Sequence, residues 1–272
     1  MGAFFSIKRV GAMILRYSYL LRASYTRILD IIYWPLLQML TWGFLQSYLV
    51  KAGALTAPGG AAQAAGTLIG AILLWDILLR GQQGFSFSFI EEMWSRNLPN
   101  ILMSPLRPAE FIVSLVVMSL IRLAVGVLPV TLLAIVFFGF NLWALGVAFG
   151  AFFVVLMFFA WSIGLFVSGL LLRLGLGAEN LVWSLMFFVQ PLGAVYYPVS
   201  TLPGWVQPIS WSLPPTYVFE GLRAVLIDHV IRWDLLAQGL AIDAVLFTLA
   251  CVSFGMFLKS ARRAGTLLQT GE

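Results

Sequence analysis

The sequence is poor in nearly everything that water-facing chemistry uses. Charged residues make up 10% of its 272 positions, against about 25% in a soluble domain. Its one cysteine, Cys251, sits inside an apolar run, which excludes a disulfide framework and a thiolate metal site. Its one histidine, His229, follows Asp228 and reads as a surface residue; a multi-histidine metal cluster is excluded. No GxxxxGK[ST] loop occurs, so the chain lacks that means of holding ATP. Neither GxSxG nor HExxH is present. No catalytic residue and no metal are expected, and the chain is expected to hold no cofactor of its own. No cleavable signal peptide is expected either, because Arg16 and Arg22 interrupt the apolar stretch after Lys8 and Arg9.

What remains is hydrophobic. Apolar types fill 61% of the chain, with 22 Phe and 10 Trp, and runs of the ~20 residues that cross a bilayer recur along it. The expected fold class is an all-α polytopic membrane protein forming one domain over residues 1–272. Residues 1–29 read as an amphipathic helix lying in the membrane interface. Ile7, Val10, Ile14, Tyr17, Leu21 and Ile28 make its apolar stripe, and Arg9, Arg16 and Arg27 share another face, directed at lipid phosphates. Six transmembrane helices follow, near residues 30–50, 66–90, 109–140, 142–172, 180–195 and 235–258. The third and fourth exceed what a bilayer requires, which predicts tilt, a kink near Pro129, or projection into the cytoplasm.

Basic residues orient these spans. With the N-terminus inside, the inner segments hold Lys8, Arg9, Arg16, Arg22, Arg27, Arg96, Arg107, Arg173, Lys259, Arg262 and Arg263, and the outer ones only Lys51, Arg223 and Arg232. That positive-inside bias places both termini in the cytoplasm. The formal charge of +5 therefore reports topology, and no nucleic-acid partner is expected.

Three charges fall mid-span. Asp76 and Arg80 lie four apart on one helix face, and Arg122 lies about as far from the inner loop, which puts both arginines within possible reach of Asp76. Such a network either lines a substrate path or locks two helices, the second being the commoner use. Asp243 in the sixth span has no evident partner. The pairs Gly66/Gly70 and Gly146/Gly150 permit close helix approach. Between spans two and three, residues 91–108 carry Glu91, Glu92 and Arg96 among Trp94, Leu98, Ile101 and Leu102. They read as a solvated loop or as an amphipathic helix that docks a partner.

Six of the twelve prolines fall between positions 191 and 215. Proline at that density breaks a spanning helix, and broken backbone inside a membrane must be sheltered by protein. Residues 196–225, with Tyr196, Tyr197, Pro198, Pro203, Trp205, Pro214 and Pro215, are therefore expected to form a re-entrant helical hairpin between spans five and six. Proline at the first turn of each short helix suits this arrangement.

Two stretches, NILMSPLRPAEFIVS and VYYPVSTLPGWVQPISWSLPPTYVFEGLR, resemble the permease subunits of ABC-2 type transporters. The order of elements is similar along nearly the whole chain, although SLPPTY departs from the commoner Asn-Pro form at Pro214. The resemblance assigns Glu220 and Arg223 to the family's Glu-x-x-Arg ending. It implies a homodimer in the inner membrane that forms an export path for an amphipathic, lipid-linked or glycan-type substrate. A separate ATPase subunit, carrying ATP and Mg, would dock on the 91–108 coupling loop and on the N-terminal helix. Trp34, Trp42, Trp75, Phe85 and Phe87 suit helix packing better than sugar stacking. Two other readings stay open: an intramembrane lipid-modifying enzyme built on Asp76, Arg80 and Arg122, and a channel.

Overall fold

Hydrocarbon cannot satisfy an open backbone, so a chain this apolar must close its hydrogen bonds locally, as helices do. The computed structural model describes residues 5–52 and 60–264, and every regular element among them is helical. The longer helices are α1 (Ile7–Arg22), α2 (Tyr25–Lys51), α3 (Gly60–Trp94), α4 (Leu98–Met103), α5 (Pro108–Phe138) and α6 (Val147–Leu174). They are followed by α7 (Leu181–Leu192), α8 (Gln207–Trp211), α9 (Pro214–Arg223) and α10 (Trp233–Ala264). Helices α2, α5, α6 and α10 are long and apolar enough to cross a membrane. Helix α3 is longer than any of them at 35 residues but carries Asp76, Arg80, Glu91 and Glu92. Helix α7 has 12 residues and reaches about 18 Å at ~1.5 Å per residue, well short of a bilayer core. Of the small-residue connection at 51–66, residues 53–59 lie outside the described residues, and α3 already begins within it at Gly60.

The expected single helix over 1–29 is corrected. The chain breaks at Ala23 and Ser24, where Ser24 is extended (φ −130°, ψ 101°) and its hydroxyl bonds that of Thr26 at 2.7 Å. A serine side chain that bonds locally competes with helix continuation. Arg27 therefore belongs to α2. Val10, Tyr17 and Leu21 are the buried side chains of α1, three members of the expected apolar stripe.

Helix α3 is the axis of the bundle, packed against α2, α5 and α6, while α10 covers α6 and α9. Trp75 and Phe85 are fully buried in it, so these two aromatics serve the core. Pro129 leaves α5 continuous from Pro108 to Phe138, and Gly139 at φ +66° stops it.

The close helix approaches are set by glycines outside the expected pair at 146 and 150. Gly146 stands ahead of α6 at φ +55°, and neither Gly146 nor Gly150 has a neighbour within 4 Å of an added Cβ. That expectation is corrected. Gly70 does sit tightly, against Phe140 and Leu222, while Gly84 meets the Ser119 backbone and Gly126 the Ile31 carbonyl. A Cβ at Gly126 would lie 2.9 Å from that carbonyl oxygen, where only backbone movement relieves the clash. Overpacking of this kind costs roughly 1–3 kcal/mol. Gly126→Ala is accordingly expected to lower the thermal unfolding midpoint in detergent; an unchanged midpoint would mean that α2 and α5 are not held this close.

Candidate functional site

At the end of the bundle that carries residues 95–107, basic side chains from the first two helices meet acids from α3 and α5. Arg9 grips Glu110 in a two-pronged pair, Nε to Oε2 at 2.8 Å and Nη2 to Oε1 at 2.5 Å. Glu110 also accepts the Ser6 and Arg107 backbone N–H groups at 2.8 and 3.0 Å. The second of these closes the first turn of α5, whose opening Pro108 fits a helix start. Arg16 bonds Glu92, whose other oxygen takes Asn97 Nδ2 at 2.9 Å. Arg27 reaches Glu91 Oε1 at 3.1 Å, and Arg122 reaches Glu91 Oε2 at 2.8 Å. Burial, and then the charge of Glu92, push the Tyr17 phenol far above its ordinary range, so it stays protonated.

Two expectations change here. Arg9, Arg16 and Arg27, expected to face lipid phosphates, each pair with a protein carboxylate. Asp76 does not bridge Arg80 and Arg122: its Oδ1 lies 3.6 Å from Arg80 Nε, while Arg122 belongs to Glu91. Helical side chains lean toward the helix N-terminus. In antiparallel α3 and α5 that lean carries Asp76 and Arg80 toward one end of the bundle and Arg122 toward the other. Equal distance from the loop therefore does not mean equal height.

The 91–108 stretch divides in the same way. Glu91 to Trp94 are the last turn of α3, and only residues 95–97 separate it from α4. Glu91, Glu92, Leu98 and Ile101 are buried, Leu102 half-buried, and Trp94, Arg96 and Met103 exposed. The glutamates are internal anchors and are not displayed to a partner. Arg96 takes a positive φ of 54°, which turns the chain sharply into α4.

Behind these ion pairs lies a cavity of about 200 Å³ between α2, α3, α5 and α7. On α3 it is lined by Arg80, Gln83, Gly84, Phe87, Glu91 and Trp94, spaced three and four apart as one helix face requires. Arg27, Asp30 and Trp34 come from α2, Arg122 from α5 and Trp183 from α7. Trp34 Nε1 donates to Asp30 at 3.0 Å, and Phe87 and Trp183 meet with ring centres 5.1 Å apart.

At the opposite end, the proline-rich segment folds as two short helices. Pro208 opens α8, and Pro214 and Pro215 open α9. Glu220 and Arg223 tie the loop down. Glu220 Oε1 accepts the Val199 N–H at 2.7 Å and pairs with Arg223 Nη1 at 3.2 Å. Arg223 Nη2 donates to the carbonyls of Ala194, Val195 (3.3 Å) and Tyr197 (2.6 Å). Tyr196 stacks on Trp42 at 4.8 Å, and Tyr197 Oη donates to the Pro191 carbonyl at 2.8 Å. Pro198, Pro203 and Trp205 are exposed. Beneath the loop opens a cleft of about 740 Å³ that includes Trp211, Tyr217, Glu220 and Arg223. On α10, Asp243 is fully buried, and neither carboxylate oxygen has a hydrogen-bond partner among the described residues.

Sequence reading missed Glu110, Gln83 and Trp183, and although it singled out Glu91 and Glu92 it did not pair them with Arg27 and Arg16. Glu110 had a visible signal, since proline at the first helical position with glutamate two residues later marks a closed helix start. Gln83 falls on the same stripe as Arg80 and Glu91. Trp183 could be placed only by the packing of α7.

A family model described as ABC-2 type transporter matches residues 14–227. No curated protein gives a significant match.

Proposed function

The chain belongs to the ABC-2 type transporter family, an integral membrane permease of an ABC transporter, and from that premise we propose that it exports its substrate as a homodimer. Helices α2, α3, α5, α6 and α10 cross the membrane. The remaining crossing, fifth in chain order, is made by α7, and the re-entrant segment through α9 lies between it and α10. Both termini face the cytoplasm, and the membrane is the bacterial inner membrane. The cargo is amphipathic, lipid-linked or glycan-type. Energy comes from a separate ATPase subunit that binds ATP and Mg.

The observation that carries the docking reading is the hairpin from α3 to α4. Its outer side presents Trp94, Arg96 and Met103 to solvent, while its inner side is bolted to α1, α2 and α5 through Glu91 and Glu92. An exposed apolar and basic tip on a rigid root suits a partner that pushes. Glu91, Glu92, Leu98 and Ile101 then transmit the push, and the exposed residues receive it. The re-entrant segment, strapped by Glu220 and Arg223, serves as the gate at the far end.

Affinity purification of the tagged chain from its own membrane is the test. An ATPase subunit recovered at one copy per permease, with nucleotide hydrolysis, is the expected result. Trp94→Ala with Arg96→Glu should reduce its recovery without lowering the unfolding midpoint of the permease. A homo-oligomer free of any nucleotide-binding partner would overturn the reading.

A further inference from the structure

We propose that the slot between α5 and α6 holds one acyl chain of a bilayer lipid, as a structural ligand separate from the cargo. The inference goes beyond the transporter reading and needs only the membrane around the bundle.

Helices α5 and α6 follow each other in sequence, yet each packs along α3 rather than along the other. The space left between them is a cavity of about 320 Å³. Ile77 of α3 is its floor, with Leu123, Val127 and Thr131 of α5 beside it, all buried. Ala124 and Leu128 on α5 and Gly150 on α6 form an exposed rim. Both ends of the slot are closed. Trp161 Nε1 of α6 donates to Ser119 Oγ of α5 at 2.8 Å, next to the lining Leu120. At the other end Trp143 and Phe149 meet edge to face, with ring centres 5.1 Å apart. Among the described residues no charged side chain lines the slot, and the Thr131 hydroxyl already donates to the Leu128 carbonyl at 2.9 Å.

These features specify an unbranched apolar chain. An apolar cavity of this kind stays dry, so within a membrane hydrocarbon fills it. From Leu120 to Thr131 the slot is about 16 Å long at ~1.5 Å per residue, roughly half of the ~30 Å hydrocarbon core and thus the depth of one leaflet. Spread over that length, the volume leaves a mean section of about 20 Å², the width of a single polymethylene chain. An α-helix from a second copy, ~10–12 Å across, does not fit. Trp143 is about half exposed and stands at the mouth, where an indole N–H meets the polar boundary of the bilayer and the ester carbonyl of a lipid. With no charge in the lining, the slot selects the chain and not the headgroup. The bound chain then fills the gap that α5 and α6 leave between them.

The test uses the full chain in a rigid steroidal detergent, which offers no alkyl chain of its own. Phosphatidylcholine or phosphatidylglycerol is added, each with dioctanoyl, dilauroyl or dipalmitoyl chains. A ligand of the native state raises the unfolding midpoint. A rise of a few degrees is expected with dilauroyl and dipalmitoyl lipid, less with dioctanoyl, and the same for both headgroups. An added Cβ at Gly150 has no neighbour within 4 Å, so Gly150→Leu fills the slot without a clash, and leucine suits a helix better than glycine. This variant should fold, lose most of the lipid-induced rise, and hold one tightly bound lipid fewer per chain by native mass spectrometry. Ala124→Leu narrows the slot from the α5 rim and decides the matter if Gly150→Leu does not fold. An unchanged lipid response in these variants, equal lipid counts, or a response set by headgroup instead of chain length would overturn the proposal. Leu128→Cys in a Cys251→Ala background, oxidised in the native membrane, separates a lipid from a second copy. No crosslink is expected; a disulfide-linked dimer would give the slot to the partner permease and overturn the lipid.

Discussion

Glu91→Ala is expected to destabilise the protein by about 3–5 kcal/mol, the cost of stripping a buried charge of its partner. Arg122 has a side chain only 7% exposed and no other acid within ion-pair reach among the described residues, so the substitution leaves a guanidinium stranded inside the bundle. Arg27 is more exposed and can turn to solvent. The double variant Glu91→Ala with Arg122→Met should recover most of the loss, because both charges leave the interior and Met fills part of the space. Unfolding midpoints of the single and double variants in detergent measure the coupling directly. Additive losses would mean that the pair is not the reason for the instability.

The second large effect is expected at the opposite end. Arg223→Ala removes the donor to three backbone carbonyls and the partner of Glu220. Each polar group left buried and unpaired costs about 1–3 kcal/mol, and the three carbonyls belong to the loop that leads from α7 toward α8. Limited proteolysis should cut residues 196–205 faster in the variant, and ATP-coupled transport should fall sharply while the ATPase subunit still binds. Arg223→Lys keeps the charge but lacks the planar fork, so it should rescue only part. Glu220→Gln retains an acceptor for the Val199 N–H and should be the mildest of the three. Wild-type proteolysis and transport in Arg223→Ala would show that the strap has no part in holding the gate.

Much of this architecture was legible in the sequence because the physics behind it is local. Apolar runs located the long helices with ends up to six residues off, and the proline cluster located the short ones, with Pro208, Pro214 and Pro215 opening helices. The limits came from partners distant along the chain. Arg9, Arg16 and Arg27 share a helical face on paper, but a break at Ser24 separates the third, and nothing local shows that acids await all three. Glu91 and Glu92 looked like surface residues because loops between spans are usually wet. They are buried because α3 continues to Trp94, where basic side chains from three other helices converge. The pairing of Arg122 failed for a directional reason: depth along a span was inferred from residue count, whereas the lean of each side chain toward its own helix N-terminus decides the height of its charge. The cavity shows the same limit. Its α3 face followed a readable stripe, but Trp183 and Arg27 join it only through tertiary packing.

The sequence separations of the N-terminal ion pairs bear on how the protein is made. Arg16 and Arg27 lie 76 and 64 residues before the acids they bond, and Arg9 lies 101 residues before Glu110. A ribosome delivers the cations first, so for much of early synthesis they have nothing to close on. During that interval they act as free positive charge, which holds a nascent membrane segment on its own side. Once α3 and the start of α5 arrive, the same side chains become fasteners. One set of arginines thus acts twice in sequence, first to orient the early helices and then to lock them, and the lock cannot form before that orientation has been set.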